Sequence, residues 1–204
     1  MTPNAITPSD PHEQQSIVGA AADQFARAGV FQDYHDRRAR NTLRRQLDDL
    51  GTFAEYLSRV RYYGDGVGHA EHLYEDAEAW KFITYGVIAG FVRWMLAHEY
   101  AIGTVNLKLS TIRQYCKLAF QANVIDAEQH ALIRTVSGFQ YKEQKRVNEK
   151  RSAAGVATRK GVKKADSVSL DAAQVRALKS QPATAQGQRD ALLMCLLLDH
   201  GLRV

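Results

Sequence analysis

Apolar residues recur along the middle of this chain at helical spacing. Leu43, Leu47, Leu50, Ala54 and Leu57 mark one face of a helix predicted over Asp36 to Ser58, which Asn41 or Thr42 can cap. Ile88, Phe91, Val92, Met95 and Leu96 fill most of the circumference of a second helix, Thr84 to Tyr100, and place it at the centre of a core. Gly103 separates it from a third, Val105 to Ala122, capped by Thr104 and ended by Asn123. Its buried stripe is Val105, Leu109, Ile112, Cys116, Ala119 and Phe120. A shorter fourth helix, Asp126 to Val136, turns Ala127, Leu132, Ile133 and Val136 inward. The expected fold is therefore mainly α, with a four-helix bundle over residues 36–138.

The flanks are patterned differently. Residues 1–11 hold three of the four prolines and predict a frayed tail. A short helix over Glu13 to Ala28, with Ile17, Ala21 and Phe25 on one side, would end at Gly29; tail and helix make up residues 1–35. Tyr62 to Tyr74 contains Gly64, Gly66 and Gly68 and reads as a flexible connector. No strand precedes these glycines, so they do not form a nucleotide-binding loop. His69 and His72 lack further ligands at fixed spacing, and no metal is expected. Residues 139–168 read as a linker and residues 169–204 as a second module. That module opens on Leu170, Val175 and Leu178, with Asp171 and Gln174 spaced as a capping box. After a loop, Pro182 to Gly187, the apolar run Ala191 to Leu198 predicts a buried helix over Gln188 to His200, stopped at Gly201. Arg203 lies just past that stop.

Charge changes this picture in one place. The chain carries a formal +5 over 204 residues. Between Arg134 and Lys164, ten basic residues and two acids give +8, so the remainder sums to −3. A concentrated cationic stretch releases counterions from a phosphate backbone and binds it with little sequence preference. Lys142, Lys145, Arg146, Lys163 and Lys164 are the candidate contacts there. Arg37, Arg38, Arg40, Arg44 and Arg45 crowd the start of the first bundle helix. Cations at that end oppose the helix dipole and suggest an anionic partner, with Arg40, Arg44 and Arg45 as candidates. Asn106, Ser110, Arg113, Gln114, Lys117 and Gln121 form the polar stripe of the third helix, where cations mix with amides and a hydroxyl able to meet phosphates or base edges. Of these, Asn106, Ser110, Arg113, Gln114 and Lys117 are the site candidates. Cys116 and Cys195 sit in apolar helical patterns and read as core thiols in a reducing cytoplasm. Met1 to Gln15 has no secretory pattern, and Phe82 to Ala97 is too short to span a bilayer and carries Arg93.

Three stretches resemble a known family. Arg189-Asp190, Ala191-Leu192-Leu193, Leu196-Leu197 and Gly201-Leu202-Arg203 together look like the opening of the catalytic domain of tyrosine recombinases, the phage-integrase family. Asn41 to Leu57 and Thr104 to Arg113 are similar to the family's core-binding domain, in the same order. The resemblance covers about Arg40 to Val204. Leu170-Asp-Ala-Ala-Gln-Val175 departs from the family's usual Leu-Thr-x-Glu-Glu-Val while keeping the capping logic.

The resemblance implies a SAM-like core-binding bundle, a basic linker crossing the DNA, and the first helices of a truncated catalytic domain. It implies double-stranded DNA as partner, strand exchange through a 3′-phosphotyrosyl intermediate, and no cofactor or metal. Family members act as tetramers on paired sites, so a homo-oligomer is expected of the full-length protein, in a cytoplasmic, nucleoid-associated setting with no membrane partner. Arg203 takes the place of the first catalytic arginine, whose planar fork can stabilise a charged phosphorane. All nine tyrosines precede Arg203, so this stretch of chain is expected to bind DNA without cutting it. Two other readings are a non-catalytic helical DNA-binding regulator and a helical interaction module with a basic tail.

Overall fold

The computed structural model describes residues 11–64, 66, 68–161 and 169–200, in two compact units divided after Gly161. Among these residues the regular structure is helical, with no strand. The expectations for the tail before Pro11, for Lys163 and Lys164, and for Gly201 and Arg203 lie outside the described residues.

The first unit contains α1 (Pro11–Asp36), α2 (Arg40–Arg59), α3 (Ala70–Glu75), a 3-10 turn (Ala77–Trp80), α4 (Tyr85–Ala97), α5 (Ile102–Gln121), α6 (Ala127–Thr135) and α7 (Tyr141–Ala153). α5 is its centre, packing against α1, α2, α4, α6 and the 3-10 turn. Leu50, Phe53 and Leu57 of α2 meet Ile88, Phe91 and Met95 of α4 and Val105, Leu109, Ile112, Tyr115 and Cys116 of α5 in one buried cluster. Fully burying each large apolar side chain contributes about 1.5–3 kcal/mol before ordering costs. Trp80 fills the middle, its ring stacked on Phe53 and Tyr115 and its indole N–H donating to Leu73 O at 2.9 Å. Asp49 is buried on the α2–α5 seam, where it accepts from Thr111 Oγ1 at 2.7 Å and pairs with Lys108 Nζ at 3.2 Å.

Several boundaries differ from those predicted. α1 runs through Gly29, because Phe31 is buried and Val30 and Tyr34 pack against the same core. Its earlier turns carry Ile17 and Phe25 in the open, so the predicted apolar side buries nothing. Asp36 closes α1, and α2 starts after Ala39 without a side-chain cap; Asn41 and Thr42 fall inside its first turn. Gly103 and Thr104 likewise lie inside α5, whose cap position is Ala101; the separating turn is formed by His98 to Tyr100, with Glu99 at φ 63°. Asn123, at φ 63°, does follow the end of α5. In α6 only Ile133 is buried, while Ala127 and Leu132 are exposed. The Tyr62–Tyr74 connector is helical from Ala70 onward, since Leu73 is drawn into the core.

The largest difference is the linker. Residues 141–153 form α7, though they bear almost no apolar stripe. Straight-chain Lys, Glu, Gln and Arg favour helix, and Glu143 near the start with Lys150 and Arg151 at the end match the dipole. Gln140 N donates to Glu143 Oε2 at 2.7 Å. Asn106 of α5 holds the entry to α7 with a paired bond: its Nδ2 donates to Phe139 O at 2.9 Å, and Phe139 N donates to its Oδ1 at 2.8 Å. At the other end Arg151 is buried and donates to Tyr100 O at 3.1 Å and to Ala157 O at 2.6 Å.

The second unit holds α8 (Ala172–Lys179) and α9 (Ala185–His200), packed on each other. The predicted capping box is present: Asp171 Oδ1 accepts from Ala173 N and Gln174 N at 2.8 Å, and Asp171 N donates to Gln174 Oε1 at 3.0 Å. α9 starts earlier than predicted, with Gly187 inside it and buried. Nor is α9 a buried helix: Leu192, Leu193 and Leu196 are exposed, because α8 is a short helix and covers only part of it.

Candidate nucleic-acid interface

The polar stripe of α5 forms the floor of two adjoining hollows. The first, about 510 Å³, is lined by Ser110, Arg113, Gln114 and Lys117 of α5 and by His130 and Arg134 of α6. The second, about 490 Å³, shares Gln114 and Lys117 and continues past Gln121 to Tyr34, Arg37 and Arg38. α5 can present these side chains because its opposite face is fixed by Val105, Leu109, Ile112 and Cys116. The spacing that buries one stripe thereby aims the other outward.

The lining is cationic. Arg37, Arg38, Arg113, Lys117 and Arg134 border the two hollows, against one acid, Asp33. Among the described residues none of these five cations belongs to an ion pair. Arg38 lies over the Tyr34 ring, 4.8 Å from its centroid. Uncompensated like charges in a concave wall focus a positive potential and raise the local concentration of anions. Guanidinium forks suit phosphate oxygens, while Ser110 and Gln114 can donate and accept.

His130 completes the first hollow. Its ring stacks on Phe120 of α5, with centroids 4.3 Å apart and planes 4° from parallel. Burial lowers its pKa below the ordinary histidine value, and the charges of Arg134 and Lys117 lower it further. No hydrogen bond joins His130 to Ser110, so the hollow does not hold an assembled nucleophile and base. Cys116 is buried and its thiol is pushed up by burial, which leaves it inert. Among the described residues no cluster of three or more His, Cys, Asp or Glu could hold a metal, and no helix is long and apolar enough to cross a membrane.

Of the residues predicted from sequence, Ser110, Arg113, Gln114 and Lys117 are brought together. Asn106 is not part of this group: its amide is committed to Phe139, with Gly138 so close that a Cβ there would lie 2.8 Å from Asn106 Oδ1. Arg40 and Arg44 are exposed and Arg45 half-buried in the first turns of α2, and none of them lines either hollow. Lys142 and Lys145 are exposed on α7, and Arg146 borders a separate hollow of about 320 Å³ with Phe139, Val147 and Lys150.

Arg37, Arg38, His130 and Arg134 were missed as site residues. Arg37 and Arg38 stand in the turn between the end of α1, where cations suit the dipole, and the α2 cap position at Ala39. His130 and Arg134 stand four apart on α6, a spacing that places them on one face. Comparison of the chain with protein-family models, curated proteins and solved structures gives no significant match.

Proposed function

We propose that this chain is the DNA-binding portion of a site-specific tyrosine recombinase, with the first unit a SAM-like core-binding bundle. The observation that carries the binding part is the convergence of five unpaired cations from the α1 end, α5 and α6 around Ser110 and Gln114. Such a surface suits a polyanion wider than a single phosphate. The exposed cations of α7 add a second basic element on the same unit. Phosphate contacts fix register, and Gln114 and Ser110 are the groups able to reach base edges. The recombinase part rests on the sequence resemblance, with Arg203 as the first catalytic arginine.

The binding test is duplex affinity against salt. Replacing Arg113, Lys117 and Arg134 together by Ala should weaken binding at least tenfold and reduce the salt slope by about three, one per lost phosphate contact. Unchanged affinity and slope would remove the hollows from the interface. The catalytic test needs a protein carrying the family's whole catalytic domain. There, Arg203→Ala should abolish strand cleavage and leave duplex affinity intact, and cleavage that persists would remove the assignment.

A further inference from the structure

We propose that the first hollow couples duplex binding to proton uptake: a backbone phosphate seated among Arg113, Lys117 and Arg134 is gripped more tightly when the His130 ring is charged. This rests on the DNA-binding reading of the hollows. The geometry supplies three conditions. His130 lines the same hollow as the three cations, so an anion there lies close to the ring. The ring is held in place by its parallel stack on Phe120, 4.3 Å between centroids, rather than swinging free. Its charged neighbours are mostly of one sign in the free protein.

Those neighbours come from every element packed on α6. α5 contributes Arg113 and Lys117. α4, which also packs on α6, carries Tyr85 and Arg93 and no acid. α6 itself carries Arg134, Glu128 and Asp126, and the Asp126 carboxylate is occupied in accepting from Gln129 N at 2.7 Å. Burial, Arg134 and Lys117 thus all disfavour the charged form of the free ring. A bound phosphate brings at least one negative charge to the same place and favours the imidazolium, which then donates from both nitrogens. By linkage, a group protonated on binding makes affinity rise as pH falls, by up to about tenfold per pH unit for one proton.

The experiment is fluorescence anisotropy of a labelled duplex with the full chain at pH 7.5 and pH 5.5, at fixed ionic strength. His130→Gln removes the titration, and His130→Phe does the same while keeping the stack on Phe120. The wild type should bind at least threefold more tightly at pH 5.5 than at pH 7.5, while the affinity of each variant, whatever its value at pH 7.5, should change little between the two. Equal pH dependence in wild type and variants would overturn the proposal and leave DNA binding standing. No duplex affinity at either pH would overturn both. Circular dichroism at each pH shows whether a variant has kept its helices; if His130→Gln has not, the comparison is made on His130→Phe.

Discussion

The two units use the same building element and end in opposite conditions. In residues 11–161, Leu50, Leu57 and Leu73 are 0% exposed and Leu109 is 1% exposed. In residues 169–200, Leu192, Leu193 and Leu196 are 62%, 43% and 37% exposed. The apolar run of α9 is if anything denser than any stripe in the bundle, with Ala191 to Leu198 unbroken. Burial therefore does not follow from local hydrophobicity. A helix apolar all round needs neighbours on several sides. α5 has them on α1, α2, α4 and α6, whereas α9 is packed on α8 within its unit. The pattern states what a helix requires of its surroundings, and only the fold shows how far those requirements are met.

This contrast is sharpest at the largest side chains. Trp80→Ala should destabilise the first unit by about 4 kcal/mol, since it empties the contact between Phe53 and Tyr115 and leaves Leu73 O without its donor. Leu192→Ala in the second unit should change stability by no more than about 0.5 kcal/mol. Thermal unfolding followed by circular dichroism measures both; similar shifts for the two would mean that the units do not differ as described. Next in size is the buried ion pair. Asp49→Ala should cost about 3 kcal/mol, because Lys108 is left charged with 12% of its side chain exposed and Thr111 loses its acceptor. Asp49→Leu combined with Lys108→Met should recover much of that loss in urea unfolding. A double variant no better than Asp49→Ala would show that the pair stabilises more than an apolar contact can.

Glycines carry the comparison to a smaller scale. A Cβ at Gly187 would stand 2.0 Å from Pro182 O, a backbone atom that has little room to withdraw. Gly187→Ala should therefore destabilise α9 by about 2 kcal/mol, more than the roughly 1 kcal/mol that Ala gains in helix propensity. A Cβ at Gly103, in the first turn of α5, meets nothing within 4 Å, so Gly103→Ala should stabilise the bundle by about 0.5–1 kcal/mol. Amide exchange in α9 and in α5 reads the two effects separately, and opposite signs are expected.

The bundle helices with a strong apolar period were legible in the sequence. α2, α4 and α5 lie where Leu50, Phe91 and Ile112 and their periodic neighbours place them, and the Asp171–Gln174 capping box was read correctly. α7 was not, because its stability comes from end charges, the Asn106–Phe139 bonds and buried Arg151, none of which leaves a hydrophobic period. The same cause moved Asn106 out of the site: an amide on a polar stripe looks alike whether it meets solvent or a backbone 33 residues away. Half of the hollow was visible, since Ser110, Arg113, Gln114 and Lys117 share one helix face. The other half, His130, Arg134, Arg37 and Arg38, is brought in by packing of α6 and of the α1 end, which periodicity within one helix does not encode.

The smallest expected effect lies where α1 docks, and it depends on pH. His35 is half-buried, stacked on Tyr74 with ring centroids 4.0 Å apart, and its Nε2 lies 3.1 Å from Tyr115 Oη. Burial holds its pKa below the ordinary value, and the carboxylates of Asp36 and Glu75 only partly offset this. The unfolded chain then binds the proton more readily than the folded one. Stability is fully present above the unfolded value of about 6.5 and is lost as the pH falls through the folded value. His130, lowered for a similar reason, adds a slope of the same sign. The melting temperature should therefore fall between pH 7.5 and pH 5.5. Replacing His35 by Gln should flatten that slope in part, and replacing His130 as well should flatten it further. A slope that survives both substitutions unchanged would place the titrating groups elsewhere.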